Sequence, residues 1–419
     1  MDATIKKALD TINSSVDFDC LVVKMKKQLI IVGGGIGLCD RAKLFGAELT
    51  LVNLPGDFDS ALLPITIRTI ITDYESDTGI IPMLKALHSI KPFDGVLSMT
   101  ELALLPAARI SHALGLGGVS VEAVVRSRDK VVMRRWLADK GFPSVAATSA
   151  NSSIEITDFA KVNGFPLIAK PRCGQGSQNI LRFDNMEQIA ASNIEDEDLV
   201  VETFLEGREF SVESFSFGRH HVVFAVTEKL TNDDDLLNPY VEIGHVVPAS
   251  ITNHEYETIV KYVQEFLDVM EISDVSTHTE LRLTSNGPIV IETHTRVGGD
   301  SIPTLVRNAT GADLLDFAVQ WQLGQIGSEL PTPHKLGAAA IRFFTPPVGT
   351  VRSISGVERW RGQYGVIKLH LPLKVGDKVN ELKNSFSRVG YVICAGADTA
   401  AAVHKCEAVI SGISIEITA

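Results

Sequence analysis

Little in this sequence points to a membrane, a disulfide framework or a zinc site. No apolar run among its 419 residues reaches the length of a membrane span, and the first residues lack the apolar core and cleavage site of a signal peptide. The five cysteines, Cys20, Cys39, Cys173, Cys394 and Cys406, are scattered without the paired spacing of zinc ligands. An odd number of dispersed cysteines is typical of reduced thiols. We therefore expect a cytoplasmic protein that uses neither zinc nor disulfides.

The sequence also lacks a basic surface suited to nucleic acid. Lys and Arg number 39 against 51 Asp and Glu, which gives a net charge of −12, and no basic stripe alternates with aromatic residues. The hydrophobic fraction of 45% is ordinary for a globular protein, and the length suffices for roughly two to four domains. Clefts between domains suit small molecules, which we expect as partners. A homodimer is the expected assembly, because symmetric dimers are the commonest oligomers.

An α/β unit is predicted near the start of the chain. An apolar run is closed by three glycines, and a helical pattern and a second apolar run follow, which is the order of a Rossmann-like unit. Further strands and a helix extend this unit to about residue 120. The predicted strands are 29–32, 48–52, 65–71 and 95–99, and the predicted helix spans 101–114.

The three glycines, Gly33, Gly34 and Gly35, allow two interpretations. They match part of the fingerprint of a dinucleotide-binding turn, and they also suit a plain tight turn between strand and helix. A dinucleotide-binding unit would carry an acid at the end of its second strand, where this chain has Asn53. The sequence therefore favours the plain turn.

A second glycine-bearing segment has the composition of a phosphate-binding loop. Lys170 is followed by the loop 172–177, whose Gly174 and Gly176 let backbone N–H groups approach phosphate oxygens while the lysine supplies positive charge. Apolar runs on both sides place this loop between two strands. The loop lacks the Gly-Lys-Ser/Thr ending of a Walker loop, so a glycine hairpin without a ligand is the alternative.

The remaining patterns predict a long helix before this loop and an antiparallel sheet after it. Residues 122–140 have helical spacing and stop at Gly141, and from Glu209 the strands alternate between apolar and polar positions. Beyond residue 333, short strands and turns predict a separate small module. Further predicted elements are the strands 221–227, 275–283 and 289–291 and the helices 256–270 and 314–323.

The hairpin with Glu280 and Glu292 contains the most informative pair of acids. A two-residue turn at Asn286 and Gly287 would place the acids on opposite faces, whereas a three-residue turn would set them directly opposite one another. Their Cβ atoms would then lie roughly 4.5 to 5.5 Å apart. Like charges this close repel unless a divalent cation binds them or one takes a proton, and we expect magnesium. The alternative is that both acids simply face solvent.

Residues around this hairpin suggest further contacts. His278 shares a face with Glu280, where it either orients a ligand or has a structural role. Arg296 is placed to reach phosphates or a carboxylate. Gly298 and Gly299 let a substrate approach the backbone.

Taken together, these segments resemble the ATP-grasp carboxylate–amine ligases, and most closely the branch of L-amino acid ligases that form dipeptides. The resemblance covers nearly the whole chain from about residue 28, and it depends on the order of the motifs rather than on any one of them. The segments that match are 101–109, 128–130, 170–177, 202–213, 278–280, 292–299, 342–351 and 388–393.

The resemblance implies an α/β protein of ATP-grasp architecture. It would comprise a Rossmann-like N-terminal domain, a central lid subdomain, a large antiparallel-sheet subdomain and a small C-terminal module. The expected boundaries are 1–27 for an N-terminal extension, 28–121 for the Rossmann-like domain, 122–205 for the lid subdomain with its linker helix, 206–335 for the large subdomain with the magnesium site, and 336–419 for the C-terminal domain.

The resemblance also implies a binding site for ATP and Mg²⁺, for which Mn²⁺ is the expected substitute. The residues implied to contact the ATP phosphates are Lys130, Lys170, Gly174, Gln175, Gly176 and Ser177. Those implied to hold adenine are Glu202, Thr203, Phe204 and Leu205, with Glu209 on the ribose and His278 beside the nucleotide. Glu280 and Glu292 would bind the metal and, with Arg296, act in catalysis.

The amino-acid substrates would bind beyond the triphosphate. The residues expected to line that pocket are Glu101, Lys229, His245, His294, Arg296, Gly298, Gly299, Asp300 and Ser301. His294 stands where the family commonly has Asn, and imidazole is a poor match for magnesium, so a third protein ligand to the metal is in question.

The implied reaction joins two L-amino acids through an acyl phosphate and releases ADP and phosphate. Positioning and charge neutralisation would supply most of the rate, which agrees with a site of cations and acids rather than a nucleophilic serine or cysteine. One alternative is a ligase of the same fold that uses another small acid or amine, such as a carboxylating or purine-pathway enzyme. A nicotinamide-binding protein whose carboxylates only face solvent is the alternative from another class.

Overall fold

The computed structural model describes residues 26–174, 176–192, 194–232, 240–327 and 329–418. Most of the predicted N-terminal extension, with Cys20, and Gln175 of the glycine loop lie outside these residues. No helix in the described ranges combines the length and apolar character needed to cross a bilayer. The described cysteines, Cys39, Cys173, Cys394 and Cys406, are free thiols.

A parallel sheet of four strands lies nearest the start of the described chain, in the order β3-β2-β1-β4. Its strands are β1 (Gln28–Val32), β2 (Glu48–Asn53), β3 (Arg68–Ile71) and β4 (Gly95–Leu97). The helices of this region are Ile36–Leu44, Ile80–Ile90 and Leu104–Ala113, with 3₁₀ turns at Pro55–Asp57, Ser60–Leu62 and Glu101–Ala103. The predicted Rossmann-like order of elements is confirmed.

The parallel sheet is buried on both faces, which is why β1 is apolar at consecutive positions. Leu29 belongs to a core cluster that includes Phe217 of a second sheet, whereas Ile30 belongs to a cluster with Ile110 on the opposite face. The first of these clusters contains residues of the N-terminal sheet, of the sheet that carries the two acids and of the helix Leu314–Gln322.

Packing accounts for the first glycine of the N-terminal turn. Gly33 has φ +67°, and a Cβ at this position would lie 2.7 Å from the Cβ of Ala103. Asn53 donates from its side-chain amide to the carbonyl oxygen of Gly34 at 3.1 Å. The residue found in place of a ribose-binding acid thus holds the glycine turn.

The glycine loop joins two paired strands of a four-stranded antiparallel sheet, as predicted. The strands are β5 (Ala147–Ser152), β6 (Leu167–Pro171), β7 (Leu181–Phe183) and β8 (Glu195–Thr203), in the order β5-β8-β6-β7. The helices Ser153–Asn163 and Met186–Ser192 accompany them.

The helix predicted over 122–140 is wrong in one respect, because the structure divides it into Val121–Arg128 and Lys130–Asp139. Asp129 separates the two: its side chain accepts hydrogen bonds from the backbone N–H groups of Val131 and Val132 and so caps the second helix. The same carboxylate pairs with Arg172 at 2.7 Å, which ties this helix start to the base of the glycine loop.

The largest sheet among the described residues has eight strands: five, in the order β13-β12-β9-β10-β11, are followed by three strands of the C-terminal residues. Its first five strands along the chain are β9 (Arg208–Phe217), β10 (His220–Thr231), β11 (Glu242–Val247), β12 (Val275–Thr284) and β13 (Gly287–His294). The helices of this region are Asn253–Val269, Ile302–Thr310 and Leu314–Gln322.

The C-terminal residues extend this sheet and also form a small one. Their strands are β14 (Ala338–Phe343), β15 (Gly349–Ser355), β16 (Val366–His370), β17 (Lys378–Val379), β18 (Tyr391–Gly396) and β19 (Ser414–Thr418). Strands β17, β15 and β19 form the small sheet, and a 3₁₀ turn covers Ser385–Ser387.

The prediction of strands and turns alone for this region missed the helix Thr399–Ser411. Asp398 caps it by accepting a hydrogen bond from the backbone N–H of Ala401 at 2.8 Å. Its buried residues Ala402, Cys406 and Val409 recur at helical spacing and pack in one core cluster with residues of β14 and β18.

Candidate active site

The hairpin formed by β12 and β13 places Glu280 directly opposite Glu292, as predicted. The turn differs from the predicted three-residue loop. Thr284 pairs with Gly287, so the turn contains only residues 285–286. The predicted pairing of the acids is therefore confirmed, although the predicted loop length is wrong.

A β-bulge at Ile291 restores the register that the short turn would lose. The pairing skips this residue, since its neighbours Val290 and Glu292 have consecutive partners in β12. A bulge adds one residue to one strand and so moves the side chains beyond it to the other face. Glu292 therefore shares a face with Glu280.

Arg134 holds the bulge. Its guanidinium donates hydrogen bonds to the carbonyl oxygens of Val290 and Ile291, at 2.8 and 3.2 Å. Its Nε donates to Glu202 at 2.7 Å, and the side chain is buried. Arg134 was not predicted as a site residue. The available signal was its position four residues after Lys130, which puts both cations on one helix face.

Glu280 is held by a lysine and a histidine. Lys229 Nζ lies 2.8 Å and His278 Nε2 lies 3.0 Å from its carboxylate. Burial raises the pKa of Glu280, but Lys229 and His278 outweigh burial and hold that pKa far below its usual range. The acid is therefore ionised at neutral pH.

His278 is a protonated imidazole that holds Glu280 in place. Its Nδ1 lies 2.8 Å from Glu213, and both carboxylates raise the pKa of the imidazole to about 10 although burial alone would lower it. His278 was predicted to lie beside a nucleotide; it does not line the cavity that contains Glu280 and Glu292, and carboxylates bind both of its ring nitrogens.

Glu292 has a matching environment. Lys130 Nζ lies 2.8 Å and His294 Nε2 lies 3.1 Å from its carboxylate. The other nitrogen of His294 lies 2.9 Å from Glu101, which also accepts a hydrogen bond from Arg296 at 2.9 Å. Burial opposes ionisation of Glu101, but His294 and Arg296 lower its pKa to about 2. Glu101 thus connects the N-terminal region to the strand with Glu292.

A cavity of about 360 Å³ opens beside the two acids. It brings together the glycine loop, the helix start at Lys130, the end of β8 and the carboxylate hairpin. The predicted residues in its wall are Lys130, Lys170, Gly174, Ser177, Glu202, Thr203, Phe204, Leu205, Glu209, Glu280 and Glu292. Tyr240 and Arg282 also line it and were not predicted.

The segment after β8 forms one end of this cavity. Glu202 was predicted to hold adenine, but its carboxylate is bound by Arg134 and by Lys170 Nζ at 3.0 Å. Burial opposes ionisation, yet these cations lower the pKa of Glu202 to about 2. The neighbouring backbone from Thr203 to Leu205 remains in the wall.

Phe204 gives this end of the cavity an aromatic face. The guanidinium carbons of Arg182 and Arg282 lie 4.5 and 5.0 Å from the centre of its ring. Arg282 also donates to the carbonyl oxygen of Leu205 at 2.8 Å. The arginines therefore fix both the ring and the following backbone.

Lys229 was expected to line the substrate pocket, but it is buried behind the cavity wall. Its ammonium binds three carboxylates, Glu209, Glu242 and Glu280, at 2.9, 3.1 and 2.8 Å. Since an ammonium has three donors, this set can satisfy all of them. Lys229 thus links the acid predicted for ribose to the acid predicted for metal.

The glycines after Arg296 differ in what surrounds them. A Cβ on Gly298 would lie 2.7 Å from Nδ1 of His278 and 3.2 Å from Glu213, whereas nothing lies within 4 Å of a Cβ on Gly299. Gly298 therefore lets the chain pass close to His278, which binds Glu280.

The residues expected to bind the substrates do not share one cavity wall. Asp300 and Ser301 line a second cavity of about 540 Å³ with Arg388. Asp300 binds Arg388 through two hydrogen bonds at 2.5 and 2.7 Å and lies 3.0 Å from His245. The expected residues outside both walls are Glu101, Lys229, His245, His294, Arg296, Gly298 and Gly299.

The opposed acids fit magnesium only together with phosphate. In the part of the chain that the structure describes, no group of three or more His, Cys, Asp or Glu side chains is arranged to hold a metal ion. Magnesium usually binds proteins through one or two carboxylates and completes its shell with substrate phosphates and water. Glu280 and Glu292 supply two ionised carboxylates in the wall of one cavity.

Three family models match the chain in sequence order. Residues 39–118 match the ATP-grasp N-terminal domain, residues 184–304 the ATP-grasp domain, and residues 342–418 the L-amino acid ligase C-terminal domain 2. The fold and the site thus define a member of the ATP-grasp carboxylate–amine ligases. Within that superfamily, the C-terminal residues match a domain of the L-amino acid ligases, and an L-amino acid ligase is among the relatives of the chain.

Individual relatives are distant. The chain is 26% identical over 323 residues to the uncharacterized protein y4rH of Sinorhizobium fredii; the match covers 74% of this chain and 66% of that protein, just under two thirds of its length. It is 21% identical to an L-arginine-specific L-amino acid ligase of Bacillus subtilis, with 75% of this chain and 78% of the relative covered.

A solved structure shows the same fold. The crystal structure of an L-amino acid ligase from Bacillus licheniformis superposes with a TM-score of 0.79 at 21% identity. The superposition covers 94% of this chain and 99% of that one.

Proposed function

We propose that this protein joins two L-amino acids into a dipeptide with consumption of ATP and release of ADP and phosphate. The observation that supports it most is the pairing of Glu280 with Glu292 in a cavity that also contains Lys130 and Lys170. The match of residues 342–418 to the L-amino acid ligase C-terminal domain favours amino acids as substrates.

In this proposal the nucleotide lies along the 360 Å³ cavity. Adenine would lie at the end lined by Phe204 and the backbone from Thr203 to Leu205. Glu209 would face the ribose, and the triphosphate would run toward Glu280 and Glu292. The ammonium groups of Lys130 and Lys170 each bind one carboxylate, and Lys130 also donates to the carbonyl oxygen of Gly174 at 3.5 Å. Because an ammonium has three donors, each lysine keeps at least one for a phosphate oxygen.

Glu280 and Glu292 would hold Mg²⁺ between the protein and the triphosphate, with Mn²⁺ as a substitute. The metal would neutralise the charge that develops on the phosphates during transfer. The carboxylates are suited to this role because Lys229 and Lys130 keep both ionised. His278 and His294 orient them from behind.

The proposed reaction has two steps. A carboxylate oxygen of the first amino acid attacks the γ-phosphorus, the bond to ADP breaks, and an acyl phosphate forms. The amine of the second amino acid then attacks the acyl carbon, phosphate leaves, and the nitrogen loses a proton. Arg296 is proposed to bind the transferred phosphate or the carboxylate of the acid, and the glycine loop to exclude water.

The test is an assay of purified protein with ATP, Mg²⁺ and L-amino acids, singly and in pairs. The proposal predicts phosphate and ADP in equal amounts, and a dipeptide of matching mass, only with suitable amino acids. AMP with pyrophosphate would contradict it. Phosphate release that requires bicarbonate would instead favour a carboxylating enzyme of the same fold.

A further inference from the structure

The glycine loop contacts a short segment of the C-terminal residues, to which the proposed function assigns no role. The backbone N–H of Ser385 donates to the carbonyl oxygen of Gly176 at 3.3 Å. The ring of Phe386 lies against the same glycine. We call residues 384–388 the dock.

Gly176 is suited to this contact in two ways. Its φ of +74° is a conformation that side chains rarely adopt, and a Cβ there would lie 2.8 Å from the Phe386 ring. The ring itself is 68% exposed, so burial in a core does not explain the aromatic residue. Its position against the loop offers a reason.

Glu242 contacts the glycine loop, the dock and Lys229, which in turn binds Glu280. Its carboxylate accepts a hydrogen bond from Ser385 Oγ at 2.7 Å and lies 3.4 Å from Ser177 Oγ of the loop. The same carboxylate binds Lys229 at 3.1 Å, and Lys229 binds Glu280 at 2.8 Å. One buried acid therefore connects the loop, through Lys229, to an acid of the proposed metal site.

The dock itself is held firmly on the large sheet. Arg388 donates from Nε to the carbonyl oxygen of Ser385 at 2.6 Å and binds Asp300 through two hydrogen bonds. Its guanidinium carbon lies 3.7 Å from the centre of the Phe343 ring. Among the described residues of the loop, Gly176 accepts a hydrogen bond from the dock at 3.3 Å, and Ser177 Oγ lies 3.4 Å from Glu242.

We propose that the dock receives the glycine loop over the triphosphate, and that Glu242 is the positioning residue that couples the seated loop to Lys229 and Glu280. This inference rests on the proposed function for its catalytic consequence. A seated loop would keep water from the acyl phosphate until the amine attacks. Loss of the dock would therefore waste ATP as well as weaken its binding.

Cys173 provides a readout of the loop that does not depend on catalysis. It is exposed in the loop, whereas Cys39, Cys394 and Cys406 are buried. The rate of its alkylation by N-ethylmaleimide is followed on the peptide that contains it, by mass spectrometry, with and without Mg²⁺ and ADP. The exposed Phe386 and Tyr364 offer matched alanine substitutions in the same C-terminal region.

Phe386→Ala is expected to raise the rate of Cys173 alkylation about fivefold, because it removes one weak contact that holds the loop. Tyr364→Ala should leave that rate unchanged. The same variant should raise KM for ATP about fivefold with kcat within about twofold, and release more than one phosphate per dipeptide. Ser385→Ala and Glu242→Gln should act in the same direction.

The inference is overturned if Phe386→Ala and Ser385→Ala alkylate at the wild-type rate and keep one phosphate per dipeptide. Because both replaced side chains are partly exposed, a folding defect would not obscure this result. If the wild-type protein neither binds ATP nor forms dipeptide, the proposed function fails. The alkylation rates of the nucleotide-free proteins then still decide whether the dock holds the loop.

Discussion

Arg134 donates a hydrogen bond to the carbonyl oxygen of Ile291, the extra residue whose insertion brings Glu292 opposite Glu280. A bulge leaves carbonyl groups without their usual partner across the sheet, and a buried unpaired carbonyl is costly. Arg134 supplies that partner and also binds Glu202 at 2.7 Å. One side chain thus supports both the acid pair and the end of the proposed ATP cavity.

Replacing Arg134 should damage stability and activity together. Arg134→Met leaves Glu202 short of one of its two cations in a buried site, and we expect a loss of about 3 to 5 kcal/mol in the free energy of unfolding. Displacement of Glu292 should lower kcat/KM roughly 100-fold. Urea unfolding and steady-state kinetics measure both. Arg135→Met, at an exposed position of the same helix, is the control and should match the wild type.

Glu202 makes a predictable contribution to stability against acid. Arg134 and Lys170 lower its pKa from the ordinary value of 4.5 to about 2, against the effect of burial. A carboxyl group whose pKa is lower in the folded state stabilises the protein above its unfolded pKa and loses that effect as pH falls through its folded pKa. The contribution of Glu202 should therefore be complete above about pH 5 and disappear toward pH 2.

Unfolding free energies of the wild type and Glu202→Gln, measured across that pH range, test this sign. The gap between the two proteins should be widest near neutral pH and should narrow as the solution becomes acidic. A gap that stays constant or widens on acidification contradicts the assignment. Glu187→Gln, at an exposed helix position, provides the comparison and should give a far smaller gap.

The two glycines after Arg296 should respond differently to alanine. Gly298→Ala places a methyl group 2.7 Å from His278 Nδ1, so we expect a loss of about 1 to 3 kcal/mol in the free energy of unfolding. The displaced His278 should also bind Glu280 less well. Gly299→Ala meets nothing within 4 Å and should change stability by less than about 0.5 kcal/mol. Thermal unfolding of both variants separates these outcomes; equal losses would contradict the packing described for Gly298.

Much of the architecture was predictable because its signals are local. Apolar runs closed by glycines identified the parallel sheet, and alternation of apolar and polar residues identified the hairpin of Glu280 and Glu292. The break at Asp129 was missed because apolar periodicity continues across it. The helix Thr399–Ser411 was missed because its buried face is made mainly of small residues, which give a weak periodic signal.

The partners of each charged side chain were less predictable than its place. Lys229 and Glu101 were expected to line the substrate pocket. In the structure both are buried and bound by oppositely charged side chains from distant parts of the chain. The pairing of the acids was predicted through the wrong turn, since a bulge at Ile291 can compensate for one residue of loop length. Such compensation depends on Arg134, which approaches from a distant helix.

The central claim is that Glu280 and Glu292 bind one divalent cation together with the triphosphate. Electron paramagnetic resonance of Mn²⁺, titrated into the protein with a non-hydrolysable ATP analogue, measures this binding directly. Glu280→Gln and Glu292→Gln should each weaken Mn²⁺ binding at least tenfold, by about 1.4 kcal/mol or more, whereas the exposed Glu358→Gln should not. Wild-type affinity for Mn²⁺ in both acid variants would contradict the account.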